Sequence, residues 1–269
     1  MAFPLSQAVA AALTLLLWAG AAAAQPSDAV DPNQPQPQEA LDMSLSPECR
    51  APTSVLYTTG SMQNVAAALA SRRSLRVLAL GAFPSGTFGS GPGSSKYTAR
   101  LQAELEQILG GATVEVEGRR LAGETTAGAP EYVTNNVTEV NPDLVVWSAG
   151  THDALARAEQ DAFATEVREI LGWLRSHAID AIIVEPPYAA AVADDRHYTE
   201  IVQRLRAVAE EHNVPVVLRY EAMRYLSQQQ NASPEQQFEL HDLSRRCIPE
   251  YVARAAAASL RAHDPGQKR

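Results

Sequence analysis

The stretch that decides the fold is LVVWSAGTHDAL, residues 144–155, in which a short apolar run leads into glycine, threonine, histidine and aspartate. A continuous apolar run without polar alternation is typical of a parallel strand that is covered on both faces. Four other runs share this character, and they lie at residues 75–80, 113–116, 181–185 and 214–218. Together with residues 144–148, they predict five buried strands.

Longer amphipathic segments separate these runs. One begins at Phe163 and has apolar residues at offsets 0, 4, 7, 8 and 11, which is the spacing of one helix face. Helices are also expected over residues 97–109, 198–211 and 248–261. The alternation predicts a three-layer α/β/α sandwich around a five-stranded parallel sheet. Because such sheets bind ligands at the carboxyl ends of their strands, the loops after the strands are the expected place for a site.

The composition limits the classes of protein to consider. The chain has 269 residues, of which 46% are hydrophobic and 20% charged, so it can bury a sizeable core. Its net charge of -9 argues against a nucleic-acid partner, whose phosphates require basic side chains. The two cysteines, Cys49 and Cys247, are too few for a four-cysteine zinc site, and no metal site is expected.

The N-terminus indicates export. The apolar run at residues 8–18 has the length of a signal-peptide core and is shorter than the roughly 20 residues of a spanning helix. Alanines at 22–24 fit a small-residue cleavage site, so residues 1–24 are interpreted as a signal peptide, although no Lys or Arg precedes the run. We expect a periplasmic or secreted protein with no membrane span after cleavage. An uncleaved N-terminal anchor is the alternative.

Residues 25–47 are rich in proline, glutamine and acids, which predicts a disordered linker. One folded domain is expected over residues 48–263, followed by a flexible tail at 264–269. In an oxidising compartment Cys49 and Cys247 can pair and tie the start of the domain to its last helix. Closing a loop of about 200 residues would stabilise the domain by at most roughly 5 kcal/mol. Two buried free thiols are the alternative.

The loops after the first and fourth strands carry polar residues. The first, GAFPSGTFGSGPGSS at residues 81–95, lacks the pattern of a phosphate-binding loop and the glycine spacing of a dinucleotide site. It presents Ser85 at the end of a strand, where a serine nucleophile can lie, although a serine among glycines and prolines often serves only the turn. Glu185 and Tyr188 follow the fourth strand and are expected to line a pocket.

Several blocks of the chain, in order and covering residues 75–260, resemble the SGNH (GDSL-type) hydrolase family. They are LRVLALG at 75–81, YTARLQAEL at 97–105, the Gly123 turn in LAGETT, GTHD at 150–153 and DLSRRC at 242–247. The last block resembles an exported subgroup of the family. The resemblance implies a flavodoxin-like fold, ester or acyl chemistry, and no metal or organic cofactor.

The resemblance also assigns roles to residues. In the family a histidine activates a serine nucleophile, an aspartate three residues earlier orients the histidine, and a glycine and an asparagine help to form the oxyanion hole. Gly123 matches the glycine, and His152 replaces the asparagine. Aligned without gaps, the nucleophile position holds Phe83, the base position holds Glu239 and its aspartate partner is Gln236. None of these three can perform the family's step.

A register shifted by two residues restores part of the machinery. Ser85, Thr87 and Gly89 then reproduce the S-x-T-x-G spacing of the family, and His241 stands two residues past the expected histidine. Ser85 and His241 become the nucleophile and the general base, but Phe238 occupies the orienting position.

The two registers lead to different functions. We expect an exported SGNH-type protein for small-molecule or glycan esters, with weakened or lost catalysis. The alternatives are an active serine esterase that uses Ser85 and His241, and a non-catalytic domain that binds a glycan or a partner in the same cleft. The oligomeric state is left open.

Other polar residues fit structural roles. Asp194, Asp195 and His197 have a spacing found in metal sites, but acids just before a helix more often cap its N-terminus. His177 and His212 lie late in predicted helices and are expected to interact with the helix C-termini.

Overall fold

The computed structural model describes residues 39–71, 74–81, 94–121, 125–229 and 234–262, without the side chains of 94–96, 234–242, 244 and 245. All these residues belong to a single unit that begins at Glu39. Its centre is a sheet of five parallel strands in the order β2-β1-β3-β4-β5. The strands are β1 (Leu75–Gly81), β2 (Val114–Arg119), β3 (Leu144–Ser148), β4 (Asp180–Val184) and β5 (Val216–Val217). The predicted fold class is confirmed.

Helices cover both faces of the sheet. They are α1 (Gln63–Ala70), α2 (Ser94–Ile108), α3 (Ala129–Val140), α4 (Thr151–Leu155), α5 (Gln160–Ser176), α6 (Arg196–Glu211), α7 (Arg219–Gln229) and α8 (Pro234–Ala262). Side chains of β1 alternate between two cores, since Val77 packs with α2 and α8 whereas Leu78 packs with α3, α5 and α6. The sheet therefore lies between two helical layers, as expected for buried parallel strands.

Several elements differ from the sequence expectation. The fifth strand has two residues instead of the expected 214–218, because the residues on either side of it bond to helices. The Val214 N–H donates to the Ala209 carbonyl at the end of α6, and the Ala222 N–H donates to the Leu218 carbonyl at the start of α7. The second strand extends to Arg119, and the last helix begins at Pro234 rather than at residue 248. The helices α1, α3, α4 and α7 were not predicted.

The free edge of the sheet at β5 is covered by the chain before α1. Tyr57 forms an antiparallel bridge with Val217, and Thr58 donates its N–H to the Val216 carbonyl at 2.8 Å. Leu218 donates to the Leu56 carbonyl at 2.8 Å on the other side of this bridge. These bonds pair the backbone groups that an exposed edge strand would offer to another chain.

The disulfide between Cys49 and Cys247 is present, with a Cα–Cα distance of 5.4 Å across 198 residues of sequence. Both cysteines are fully buried. Tyr251, one turn later on α8, donates its hydroxyl to the Cys49 carbonyl at 2.8 Å. The predicted bridge is confirmed, and it joins the start of the domain to the last helix.

The chain just before Cys49 packs on the domain, although residues 25–47 are expected to be a disordered linker. Leu45 is only 2% exposed and belongs to the core. Ser46 donates its N–H and its hydroxyl to the two carboxylate oxygens of Glu250, each at 2.8 Å. Arg100 of α2 binds the same carboxylate at 2.6 Å. Because these contacts need residues 45 and 46 in place, the folded part begins earlier than the composition suggests.

The structural roles expected for several polar residues are observed. Asp195 is the N-cap of α6 and accepts from the Tyr198 N–H at 3.2 Å. His177 and His212 are the C-cap residues of α5 and α6. Among the described residues, no three His, Cys, Asp or Glu side chains form a group that could hold a metal ion. Within the same residues, every helix is too short or too polar to cross a membrane.

Candidate functional site

Most of the residues proposed for catalysis lie outside the described part of the chain. Ser85, Phe83 and Gly123 are not among the described residues, and α8 carries Gln236, Glu239 and His241 without described side chains. Pairing of Ser85 with His241 therefore stays a prediction. What the structure describes is the frame around these positions, at the carboxyl ends of β1, β3 and β4.

Gly81 ends β1 in a conformation that requires glycine. Its φ is +113°, and a Cβ on this residue would lie 2.1 Å from the Ser148 carbonyl oxygen. Gly81 pairs with Ser148, which in turn pairs with Val184, so the ends of three strands lie at one level. The loop with Ser85 therefore starts at a close approach between the two central strands, where any larger residue would push them apart.

The GTHD block forms the turn after β3. Gly150 is the N-cap of α4 with a φ of +85°, and a Cβ there would lie 3.3 to 3.4 Å from Pro186, Ile201 and Phe163. This tight turn holds His152 at the carboxyl edge of the sheet, where its side chain is partly exposed. The predicted position of the block is confirmed by the structure. The positive φ favours glycine here, and the neighbouring side chains leave little room for a larger residue.

Asp153 ties this turn to the segment that follows Gly123 in the sequence. Its Oδ1 accepts both the N–H and the hydroxyl of Thr126, each at 2.8 Å. Asp153 and Thr126 are each only 2% exposed. This bond therefore joins the GTHD block to the chain three residues after Gly123, so the two blocks assigned to the oxyanion hole are held together. The sequence shows no signal for this link, because Thr126 lies 27 residues away from Asp153.

Glu166 of α5 adds a second acid to this link. Burial raises the pKa of its carboxyl group, the nearby Asp153 raises it further, and a hydrogen bond with the Thr126 side chain opposes both effects. The Asp153 side of the candidate site therefore concentrates negative charge on two carboxyl groups that share one threonine.

Glu185 does not line an open pocket, contrary to the sequence expectation. It is fully buried after β4 and forms a two-pronged ion pair with Arg206 of α6, with Nη2 and Oε2 at 2.9 Å. Arg206 also contacts Glu221 at 3.2 Å. Burial raises the pKa of Glu185, and Arg206 acts against that rise. The carboxylate is committed to holding α6 and α7 against the sheet, so it is not free to bind a ligand.

Aromatic side chains border the same edge beyond β4. Tyr188 packs edge-on against Tyr220 with ring centres 5.3 Å apart. Tyr198 donates its hydroxyl to the Pro187 carbonyl at 2.7 Å. Burial raises the Tyr198 pKa, and the positive charge of the buried Arg219 opposes that rise. Tyr198 and Tyr220 belong to the core, whereas Tyr188 is partly exposed, so Tyr188 is the ring of this group that can meet an acyl chain or a sugar ring.

Two pockets formed by described residues lie elsewhere. One of about 320 Å³ is at the amino end of β4, lined in part by Asp180, Arg175 and His212. The other, of about 630 Å³, lies beside β5 and includes Tyr57 and Asn213. Neither includes a residue of the GTHD turn. The candidate active site is therefore identified by the strand ends and the family blocks and not by these cavities.

The sequence was compared with models of known protein families. A family described as non-GDSL lipase-like matches residues 48–262. The chain belongs to this family. Its membership confirms the SGNH/GDSL-type resemblance that the sequence blocks indicate. No curated protein matches the chain significantly.

Solved structures, two of them named as esterases, share the fold of this family member. TesA has a TM-score of 0.52 and 16% identity, over 68% of this chain and 99% of its own. The acetyl xylan esterase AlAXEase has a TM-score of 0.51 and 16% identity, over 69% and 99%. A two-domain esterase active on acetylated mannans has a TM-score of 0.55 and 11% identity, over 77% of this chain and 57% of its own. At these identities the likeness establishes the α/β fold.

Proposed function

We propose that this family member is an exported protein that binds acylated glycans or small esters at the carboxyl edge of its sheet and hydrolyses them slowly or not at all. One observation carries the proposal: the Asp153–Thr126 link keeps the frame of the site, while His152 stands where the family has asparagine. A frame that is kept while the reacting groups change supports continued use of the cleft for binding.

The features that shape the two turns place strict demands on the residues that form them. Hydrogen bonds to a charged group typically contribute about 1.5 to 3 kcal/mol each, but burying the Asp153 carboxylate offsets much of that gain. The close approach at Gly81 leaves no space for a side chain, and the positive φ of Gly150 favours glycine. These features all serve the geometry of the two turns that face the predicted cleft.

Two departures from the family pattern, His152 in place of asparagine and Phe83 in place of the serine, act against hydrolysis. An asparagine amide donates a hydrogen bond at any pH, whereas a histidine donates from a given nitrogen only in the appropriate tautomer or when protonated. Phe83 at the ungapped nucleophile position has no group that can attack a carbonyl carbon. The description of the family as non-GDSL agrees with this loss.

The substrate class rests on the fold neighbours. AlAXEase is named as an acetyl xylan esterase, and the two-domain neighbour as active on acetylated mannans. Acylated polysaccharide is therefore the ligand class that we propose for this chain, and the partly exposed ring of Tyr188, which packs on the buried Tyr220, is suited to contact a sugar ring.

Labelling with a fluorophosphonate tests the loss of hydrolysis. We expect the wild-type protein and Ser85→Ala to give the same low signal, and Phe83→Ser, which restores a serine in the ungapped register, serves as a comparison. Labelling of the wild type that disappears in Ser85→Ala would overturn the proposal. Titration calorimetry with acetylated and deacetylated xylo-oligosaccharides tests binding, and failure to bind the acetylated form would overturn that part.

An active Ser85/His241 esterase is the second candidate, and the spacing of Ser85, Thr87 and Gly89 favours it. It predicts ester turnover that falls as pH drops through the pKa of His241, because only neutral imidazole accepts the serine proton. Turnover that is unchanged in His241→Gln would reject this candidate.

Export is tested separately with residues 1–47 fused to a phosphatase that folds only in an oxidising compartment. We expect an active fusion, since the apolar run at residues 8–18 has signal-peptide length. Deleting residues 8–18 should abolish activity. An inactive full fusion would contradict export.

A further inference from the structure

The pocket beside β5 is independent of the candidate active site. We call it the edge pocket, and its volume is about 630 Å³, within the range of about 300 to 1,000 Å³ for small-molecule sites. Residues 53–59 form one wall, and the end of α6 with the turn into β5 forms the other. Its lining residues are Thr53, Ser54, Tyr57, Thr58, Thr59, Arg206, Glu210, Asn213, Val214 and Val216.

Both walls of the edge pocket are fixed by backbone hydrogen bonds. On one side Val216 donates its N–H to the Thr58 hydroxyl at 2.9 Å, next to the bridge between Tyr57 and Val217. On the other side Asn213 adopts a φ of +54°, and its carbonyl accepts from the Ser61 N–H at 2.7 Å. A ligand therefore meets a preformed surface and does not have to order these segments.

The chemistry of the lining is that of a polyol site. Hydroxyl groups of Thr53 and Thr59, the amide of Asn213 and the carboxylate of Glu210 offer donors and acceptors side by side. The ring of Tyr57 is partly exposed among them. Vicinal sugar hydroxyls bind such alternating polar groups, and the apolar face of a pyranose packs on an aromatic ring.

The charges of the edge pocket favour a neutral ligand. The guanidinium of Arg206 already contacts the carboxylates of Glu185 and Glu221. Glu210 adds an exposed negative charge on the same helix, one turn later. Around Tyr57, Asp42 adds a negative charge and Arg254 and Arg261 add positive ones. Charges of both signs therefore surround the pocket, and Arg206, the cation among its lining residues, is already paired, whereas an uncharged sugar meets hydrogen-bonding groups without repulsion.

We propose that the edge pocket binds a neutral saccharide, as a site separate from the carboxyl edge. This goes beyond the proposed function, because it requires neither an acyl group nor hydrolysis. A second saccharide site on the same domain would hold a polymeric glycan while the carboxyl edge contacts its acylated units, and the effective concentration of those units would rise.

Backbone amide shifts in NMR spectra of the folded domain, residues 39–269 with the disulfide intact, test the site with unacetylated xylohexaose and mannohexaose. Inorganic phosphate is the anionic comparison. We expect at least one hexaose to shift amides of residues 53–59 and 213–216, and phosphate to leave them unchanged. Shifts confined to the carboxyl edge, no shift with either hexaose, or shifts of these amides with phosphate would overturn the proposal.

Three variants separate the two sites. Tyr57→Ala removes the ring and should weaken hexaose binding about five- to tenfold, as expected for loss of one aromatic contact. Asn213→Gly removes the amide at a position whose positive φ suits glycine, so it tests the site without backbone strain. Trp173→Ala is the matched control, because this partly exposed ring of α5 stacks on His177 and lines neither site, and it should leave hexaose binding unchanged. Hexaose binding that is lost in Tyr188→Ala and kept in Tyr57→Ala would locate the hexaose at the carboxyl edge and overturn the edge-pocket proposal, while the proposed binding of acetylated ligand at the carboxyl edge would still stand.

Discussion

Two regions, the corner at the disulfide and the turn after β3, each use a buried carboxylate that accepts both donors of one hydroxyl-bearing residue, through two oxygens at the corner and through one at the turn. At the corner Glu250 accepts the N–H and the hydroxyl of Ser46, each at 2.8 Å. At the turn Asp153 accepts the N–H and the hydroxyl of Thr126, also at 2.8 Å. Each carboxylate is almost fully buried and ties a distant segment of the chain to a helix.

The two regions differ in what compensates the buried charge. Arg100 binds Glu250 directly at 2.6 Å, and a disulfide one turn away holds the same segments together. An acid lies near each carboxylate, Glu104 near Glu250 and Glu166 near Asp153. The bound cation compensates the charge of Glu250, whereas the partly exposed Glu166 adds negative charge beside the buried Asp153, an arrangement that is more common at ligand sites than in structural contacts.

Among the changes that test this comparison, breaking the disulfide should have the largest effect on stability. We expect Cys49→Ser with Cys247→Ser to lower the free energy of unfolding by up to about 5 kcal/mol, because the bridge closes 198 residues. Urea unfolding measures the change, and the oxidised wild type is the control. An unchanged midpoint would contradict it. Ligand binding at the carboxyl edge should persist under conditions where the variant is folded.

Glu250→Gln should come next, at about 2 to 3 kcal/mol. Both oxygens of Glu250 accept hydrogen bonds, so the glutamine NH₂ group would face a donor, and Arg100 would lose its partner. Thermal unfolding at neutral pH measures this loss. Glu104→Gln on the same face of α2 is the control, and it should not destabilise the protein, because burial and Glu250 raise the pKa of Glu104.

Asp153→Ala should cost about 2 kcal/mol, because two buried donors of Thr126 lose their acceptor. Asp153→Asn keeps an oxygen in that place and should cost less than about 1 kcal/mol. Unlike the corner variants, Asp153→Ala should also abolish binding of acetylated oligosaccharide in calorimetry. If it binds as well as Asp153→Asn, the link does not serve the site.

The smallest effect concerns the pH dependence of Glu166. Its pKa is raised in the folded state, so ionising it costs stability: that cost is absent below the carboxyl pKa of the unfolded chain and complete above the folded one. Glu166→Gln should therefore be slightly more stable than the wild type at neutral pH, by roughly 0.5 kcal/mol given its partial exposure. The difference should vanish as pH falls below about 4. If the stability difference between Glu166→Gln and the wild type stays constant from neutral pH to below about pH 4, ionisation of Glu166 is not its cause.

Local patterns were enough to predict most of the sheet. Apolar runs such as residues 144–148 identify buried strands because both faces of a parallel sheet are covered. The apolar run overestimated the length of β5. That length depends on where α6 ends and α7 begins, and the apolar residues carry no information about these two positions. The helix α3 was missed because its threonines and valines are also common in strands.

The site shows the same division between local and long-range information. The GTHD turn was predicted at the carboxyl edge from its place after a buried run, and Cys49 and Cys247 were predicted to pair because they are the only cysteines. Partners chosen by packing could not be predicted. Arg206 lies 21 residues from Glu185, and only the docking of α6 on the sheet brings them together. This is why Glu185 was expected in a pocket and instead lies in an ion pair.

The disulfide also determines how the domain carries a mechanical load. The closed loop runs from Cys49 to Cys247 and contains every strand of the sheet, from Leu75 to Val217. A pulling force applied to the chain outside the two cysteines passes through the sulfur–sulfur bond and does not stretch the strands between them. The hydrogen bonds of the sheet would therefore stay unloaded under tension, and only the short segments outside the loop could be peeled away.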